Sequence, residues 1–307
     1  RQFESLLLQT RSAIRRLLEI DEQYEVLFLM GGARQQFDWV ARNFLQHQAS
    51  YWVTGHWSDM AAQVAELFGE VEIVRSDKFP SQYDRGDYLF ACLNETIDGI
   101  EIKQLPKTSV PWVLDASSNI FSRRIEMDGV GLLMAGAQKN AGIAGVTIVV
   151  IRKDFLAKAQ VSPKDKFYSY KAHAEAESML VTPPTLAIGA LKAVLDWIER
   201  QGGVEALERI NARKAELLYQ CIDQSTGFYR SRVQPPVRSQ MNVVFDLPSE
   251  ALLNDFLLGA QARGLLNLKG HRSVGGVRAS IYNAMPLEGV QALVNWMQVF
   301  QDQQRIK

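Results

Sequence analysis

Lys139 lies in Met134-Ala-Gly-Ala-Gln-Lys-Asn-Ala-Gly-Ile-Ala-Gly145, flanked almost wholly by small residues and set between two apolar runs, Val130-Gly-Leu-Leu-Met134 and Val146-Thr-Ile-Val-Val-Ile151. A solvated lysine needs no such surroundings. Small neighbours let the backbone crowd a bulky planar group, and apolar surroundings lower a lysine's pKa toward the neutral amine that forms an imine with a carbonyl. Taken alone, the segment also suits a lysine on an ordinary turn between two strands.

Other residues with chemical capacity stand at similar punctuation points. Gly31-Gly-Ala-Arg34 follows an apolar run and opens a helical pattern. Glycines admit an anion to the backbone there, and the free N–H groups and dipole of a helix start favour it; a plain strand-to-helix turn is the alternative. Asp115 ends Trp112-Val-Leu114 and precedes Ala116-Ser-Ser118. An acid at the carboxyl end of a strand faces the usual ligand crevice of an open α/β sheet. Against a pyridine nitrogen it would keep the ring protonated, the condition for pyridoxal phosphate to act as an electron sink; an aspartate that caps the next turn remains open. Trp57, in Thr54-Gly-His-Trp-Ser58, offers a flat indole for stacking on an aromatic ring or for ordinary packing. In Asn94-Glu-Thr-Ile-Asp-Gly99, Thr96 is the choice for a hydroxyl or phosphate contact.

Lys269-Gly-His-Arg-Ser-Val-Gly-Gly-Val-Arg278 is the densest local mix of basic side chains and glycine. Arginine forks match carboxylate and phosphate bidentately, so His271, Arg272 and Arg278 suggest a small dianionic substrate, with a solvated loop as the alternative. His47 and His173 read as surface or loop residues, and His56 as a neighbour of the site. No Ser/His/Asp order, HExxH or CxxC pattern occurs.

These residues need a scaffold that brings strand ends together. Phe3–Glu19 is amphipathic, Glu25–Met30 reads as a buried strand, and alternating helical and apolar runs continue: strand Ala49–Thr54, helix Ser58–Phe68, strands Glu70–Val74, Tyr88–Cys92 and Pro111–Leu114, then those flanking Lys139. Continuous apolar runs require burial on both faces, which predicts an α/β domain: a mostly parallel sheet covered by helices. Ala157–Thr182 reads as a long irregular loop. After Thr182-Pro-Pro-Thr185 come helices over Leu186–Arg200 and Val204–Ile222, interrupted at Gly202-Gly203. One strand-like run over Met241–Phe245, a helix over Ser249–Arg263, a Gly-rich stretch and a last helix over Leu287–Gln301 follow. This predicts a large domain over 1–201 and a smaller C-terminal α+β domain over 202–307.

The chain has 307 residues, 34 Lys plus Arg against 34 Asp plus Glu, and two cysteines, Cys92 and Cys221. Balanced charge provides no global field for nucleic acid, so the expected partner is a small molecule. Two cysteines at this spacing form neither a disulfide framework nor a metal-ligand set, so no metal is expected and a reducing, cytoplasmic setting fits. No run reaches the roughly 18 consecutive apolar residues of a membrane span, and the first residues lack a signal pattern.

Together these segments resemble the phosphoserine aminotransferase family, fold-type I pyridoxal-phosphate enzymes of the class V aminotransferase group. The most specific parts are Gly136-Ala-Gln-Lys-Asn-Ala-Gly142, Thr182-Pro-Pro-Thr185 and the stretch from Gly270 to Gly289. The resemblance implies that Lys139 forms the Schiff base with pyridoxal 5'-phosphate and later shuttles the proton at Cα. It also implies that Asp115 pairs with the pyridinium nitrogen, Trp57 stacks on the ring and Thr96 contacts the phenolic oxygen. Gly32, Ala33, Arg34 and Gln138 would hold the phosphate, with Thr182 reaching the cofactor of a neighbouring subunit in a homodimer. Arg278 would take the substrate's α-carboxylate, and His271 and Arg272 would help with its phosphate. The implied reaction moves an amino group between O-phospho-L-serine and 2-oxoglutarate in serine biosynthesis, and in some bacterial members also serves pyridoxine biosynthesis.

Two departures stand against the pattern. The family normally begins with a segment of a few dozen residues carrying a substrate-binding His-Arg pair, whereas this sequence begins Arg1-Gln-Phe-Glu. Val181 stands where the family usually has asparagine, so a hydrogen bond to a charged group, worth on the order of 1.5–3 kcal/mol, is lost. They keep open an alternative: a truncated or degenerate homologue that binds the cofactor or a partner without efficient catalysis. A cysteine desulfurase of the same fold would need a nucleophilic cysteine on a mobile loop, for which Cys92 and Cys221 are poorly placed.

Overall fold

A computed structural model describes residues 2–75 and 83–305. In chain order it contains α1 Gln2–Leu17, β1 Tyr24–Met30, α2 Ala33–Phe44, β2 Gln48–Trp52, α3 His56–Ala65, β3 Glu70–Val74, β4 Leu89–Cys92, β5 Asn94–Glu95 and β6 Ile100–Glu101. Then come β7 Trp112–Asp115, β8 Val130–Gly136, β9 Val146–Arg152, α4 Lys153–Ala157, α5 Tyr170–Glu175, α6 Thr185–Arg200 and α7 Gly203–Gln224. The chain continues with β10 Arg230–Ser231, β11 Asn242–Asp246, α8 Glu250–Gln261, β12 Val277–Ser280 and α9 Leu287–Arg305.

Seven strands form the main sheet in the order β1-β9-β8-β7-β4-β2-β3. β3, β2, β4, β7 and β8 pair in parallel; β9 alone runs against its neighbours, β8 and β1. The expected mostly parallel sheet is present. β4, β7 and β8 are buried along their whole length, because apolar layers cover both faces. On one face Leu7, Ile14 and Leu18 of the α1 region pack with Ile188, Leu191 and Ile198 of α6. On the other, Phe37 and Val40 of α2 pack with Ala61 and Ala65 of α3 and with Tyr170.

A second sheet, β10-β11-β12, carries a separate apolar core with α7, α8 and α9. Helix α7 belongs to both cores: Val204 and Leu207 pack with the large sheet, Ala215 and Leu218 with the small one. Gly202, at φ 95°, turns the chain from α6 into α7 in a conformation that favours glycine.

Four expectations are corrected. The segment Ala157–Thr182 is not a bare loop: it holds a 3-10 turn over Pro163–Tyr168 and helix α5. Its rings gather on Trp39, with centroids of Phe167, Tyr168 and His173 at 5.4, 5.7 and 5.3 Å. His173 is therefore buried rather than a surface residue, and burial pushes its pKa down. The Gly-rich stretch ends in strand β12, where Val277 and Ala279 point inward and are buried. Gly275 and Gly276, at φ 67° and 70°, turn the chain into it. Helix α3 starts earlier than its pattern predicts, because carboxylates from another segment satisfy its first turn.

Lys214 of α7 is fully buried and donates to the carbonyls of Ile281, Tyr282 and Met285 at 3.0, 2.9 and 3.0 Å. Burial pushes its ammonium down to about 8, while carbonyl acceptors favour the charged form. Lys214→Met keeps the aliphatic stem and removes all three donors. We expect it to lower stability by on the order of 3 kcal/mol, read as a lower urea midpoint; an unchanged midpoint would show that these carbonyls find other donors.

Candidate active site

Because β2, β4, β7 and β8 run the same way, the residues beyond their ends meet along one edge of the sheet. β2 leads to Trp57, β4 to Thr96, β7 ends at Asp115 and β8 leads to Lys139. The small sheet closes over this edge with Arg278 of β12.

The contacts run in one line. The half-buried Lys139 places Nζ 5.8 Å from the centroid of the Trp57 ring. The indole Nε1 of Trp57 donates to Thr96 Oγ1 at 2.9 Å. The carbonyl of Thr96 accepts from Arg278 Nη1 at 3.4 Å. Asp115 Oδ1 accepts the N–H and hydroxyl of Ser117 at 2.9 and 2.6 Å. Oδ2 accepts no hydrogen bond among the described residues. Ser117 Oγ in turn accepts the Gly136 N–H at 3.0 Å, which ties the acid to the segment entering the Lys139 turn.

Two helix N-termini face this edge and differ in one respect. At α3, His56 N–H donates to Asp98 Oδ2, and the N–H groups of Trp57 and Ser58 donate to Glu95. At α2, Gly32 is the N-cap without a side-chain cap, and a Cβ at Gly32 would meet nothing within 4 Å. The N–H groups of Ala33 and Arg34 have no hydrogen-bond partner among the described residues, whereas those of α3 are taken. The exposed Gln138 bends back over Gly136, where a Cβ would lie 2.6 Å from its Oε1.

The remaining expected residues lie outside this line. His271 is half-buried, with Nδ1 2.7 Å from Ser273 Oγ and its ring 6.0 Å from that of His56. Arg272 and Thr182 are exposed. Cys92 and Cys221 are buried, and burial raises both thiols, Cys221 to about 11. Neither is a nucleophile on a mobile loop.

Sequence reasoning passed over the residues that brace the site. Asn140, beside Lys139, donates to Ser118 O at 3.1 Å and accepts from Asn283 N at 3.0 Å. Asn94 donates to Ser118 Oγ at 2.7 Å and to Asn242 Oδ1 at 2.9 Å, joining the two sheets. Glu95 accepts Trp57 N and Ser58 N at 2.8 Å each and Ser58 Oγ at 2.6 Å. Asn140 and Asn94 stand in the quoted motifs, but nothing local marks Asn283 and Asn242, their partners more than a hundred residues away.

The sequence profile described as Aminotransferase class-V matches residues 1–293. The chain belongs to the class-V aminotransferase family. Within it, the chain is 44% identical to a phosphoserine aminotransferase from Laribacter hongkongensis, over 98% of this chain and 87% of that protein. The solved phosphoserine aminotransferase from Bacillus circulans subsp. alkalophilus superposes with a TM-score of 0.93 at 39% identity, covering 98% of this chain and 87% of that one. A PLP-bound phosphoserine aminotransferase from Trichomonas vaginalis gives 0.91 at 35%, with 97% and 88% covered. This class-V aminotransferase therefore has the expected fold-type I architecture and is a pyridoxal-phosphate-dependent transaminase. The similarity supports the aminotransferase reading rather than the degenerate alternative.

The residues present suit that cofactor. An uncapped helix start with open space at Gly32 suits a phosphate. The free Oδ2 of Asp115 suits a protonated ring nitrogen, and the indole beside Lys139 Nζ provides a flat surface.

Burial holds Glu95 neutral up to about 7. A carboxyl raised in the folded state contributes stability that is present below its unfolded pKa of 4.5 and lost as pH rises through about 7. Relative to Glu95→Gln, the cofactor-free protein should lose on the order of 3 kcal/mol between those pH values. Urea unfolding at several pH values measures the difference, and a constant gap would refute the assignment.

Proposed function

We propose that the chain reversibly exchanges an amino group between O-phospho-L-serine and 2-oxoglutarate, giving 3-phosphooxypyruvate and glutamate. The observation that carries this reading is the line of contacts from Lys139 through Trp57 and Thr96 to Arg278, which sets a reactive amine and a carboxylate-binding fork on one crevice. The phosphoserine aminotransferases to which the chain is similar support the substrate class.

Pyridoxal 5'-phosphate, when bound, supplies a carbonyl for the amino group and a ring that withdraws electrons from Cα. The chain's residues do the rest. With the cofactor bound, Lys139 Nζ would take up the Cα proton of the amino acid as general base and give it up again as general acid. Asp115 would keep the ring nitrogen protonated through Oδ2, and Ser117 holds that carboxylate in place through Oδ1. Trp57 would offer the ring its indole face. Thr96 Oγ1 accepts from the indole, and its own proton stays free to donate to the phenolic oxygen. Gly32, Ala33, Arg34 and Gln138 would hold the cofactor phosphate. Thr182 reaches the cofactor of a second copy in a homodimer, a reading supported by its exposure beside Leu186, which is 79% exposed.

Arg278 binds the α-carboxylate common to both amino acids, and His271 and Arg272 take the substrate phosphate. The division into domains at 201/202 rests on the turn at Gly202. Serine biosynthesis, with a further part in pyridoxine biosynthesis, is the setting we assign. Two buried free cysteines support a cytoplasmic location. Among the described residues no helix is long and apolar enough to cross a membrane, and the balanced charge supports no nucleic-acid partner.

Lys139→Ala should abolish glutamate formation from phosphoserine and 2-oxoglutarate; retained turnover would overturn the assignment. Arg278→Lys should lower kcat/KM for phosphoserine and glutamate alike, by roughly tenfold or more, since lysine cannot replace the fork. Arg272→Ala should penalise phosphoserine more than glutamate. Equal losses for both substrates in Arg272→Ala would mean that Arg272 does not read the phosphate.

A further inference from the structure

We infer that Glu95 is a positioning residue for the indole of Trp57. The inference rests on the reading of Trp57 as the ring that lies against the cofactor.

Glu95 is fully buried, at 0% exposure, and ends β5, one strand of a short hairpin with β6. Its Oε2 accepts the N–H of Trp57 at 2.8 Å, and its Oε1 accepts the N–H and hydroxyl of Ser58 at 2.8 and 2.6 Å. One carboxylate therefore gathers three donors from the first turn of α3. The next residue, Thr96, takes the indole N–H at 2.9 Å. Two consecutive residues of one hairpin thus hold Trp57 at its backbone and at the far edge of its ring. An indole has two side-chain torsions, and fixing both ends removes the freedom to swing away from the crevice.

The helix is built to receive this grip. A Cβ at Gly55 would lie 2.5 Å from Asp98 Oδ2 and 2.7 Å from Glu95 Cγ, so glycine there lets both carboxylates close on the helix start. A cap serving only the helix is ordinarily a serine, threonine, aspartate or asparagine at the N-cap itself. Here the cap is a buried acid from a distant segment, without an ion-pair partner among the described residues, and burial pushes it up to about 7. That is an unfavourable way to end a helix and an effective way to fix one side chain beside a reactive lysine.

The test is a double-mutant cycle read as the Kd of pyridoxal 5'-phosphate for the cofactor-free protein, with Trp57→Ala, Glu95→Gln and the double variant. Measured above the pH at which Glu95 ionises, each single change should weaken binding roughly tenfold, the scale of one hydrogen bond to a charged group. The double variant should bind no more weakly than Trp57→Ala alone, because Glu95 acts through the indole. A Trp57→Ala variant with wild-type affinity would remove the stacking reading and this inference with it. A weakened Trp57→Ala beside a wild-type Glu95→Gln, or a double variant whose loss is the product of the single losses, would overturn the role of Glu95 and leave the stacking reading intact. Should Glu95→Gln fail to fold, Glu95→Asp, which keeps the carboxyl group but is one methylene shorter, enters the same cycle with the same outcomes.

Discussion

Ser117 Oγ donates to Asp115 Oδ1 at 2.6 Å and accepts the Gly136 N–H at 3.0 Å, so one hydroxyl joins the end of β7 to the end of β8. The pairing of Asp115 with Met134 across those parallel strands sets the register. Together they fix where an acid stands relative to the turn that carries Lys139. Parallel strands place equivalent ends side by side, and every other residue of the crevice is arranged around that pair. A one-residue slip of β8 against β7 would reverse which side chains face each layer and would detach the Lys139 turn from the acid.

Besides helix α7, which enters both apolar cores, polar contacts hold the small sheet to this edge. Asn94, Ser118 and Asn242 form one chain of hydrogen bonds, and Asn140, Asn283 and Asn211 form another. Arg123 and Glu101 add an ion pair at 2.8 Å, and Glu101 also accepts from Gln240 N at 2.9 Å. Buried amides satisfied on several sides are directional, so the seam specifies one arrangement of the two sheets. Lys214 holds the Ile281–Met285 segment, and that segment presents Asn283 N to Asn140 beside Lys139.

Much of the scaffold was legible because apolar runs and glycine punctuation are local signals. Lys139, Asp115, Trp57 and Thr96 stand at strand ends that the hydrophobic pattern marks directly, and the structure brings them together. Glu95 was not legible: an acid in Asn-Glu-Thr reads as a solvated turn, and only α3, from another part of the chain, buries it. Lys214 lies in a helix rich in charges, Glu-Arg-Ile-Asn-Ala-Arg-Lys-Ala-Glu, where nothing distinguishes the one lysine that points inward. β12 was hidden because glycine composition masked the alternation of Val277 and Ala279. The aromatics of Ala157–Thr182 look loop-like until Trp39 offers them a common partner.

The reversed direction of β9 has a consequence for how the crevice assembles. Antiparallel β8 and β9 need no crossover helix, so the turn bearing Lys139 closes over a short stretch of chain between Gly136 and Val146. Its loop-closure entropy is correspondingly small. The uncapped start of α2 reaches the same crevice only through β1, which pairs with β9 from far along the chain. The lysine turn is thus a low-contact-order element that neighbouring residues can form by themselves, while the α2 side of the crevice depends on the most sequence-distant pairing in the sheet.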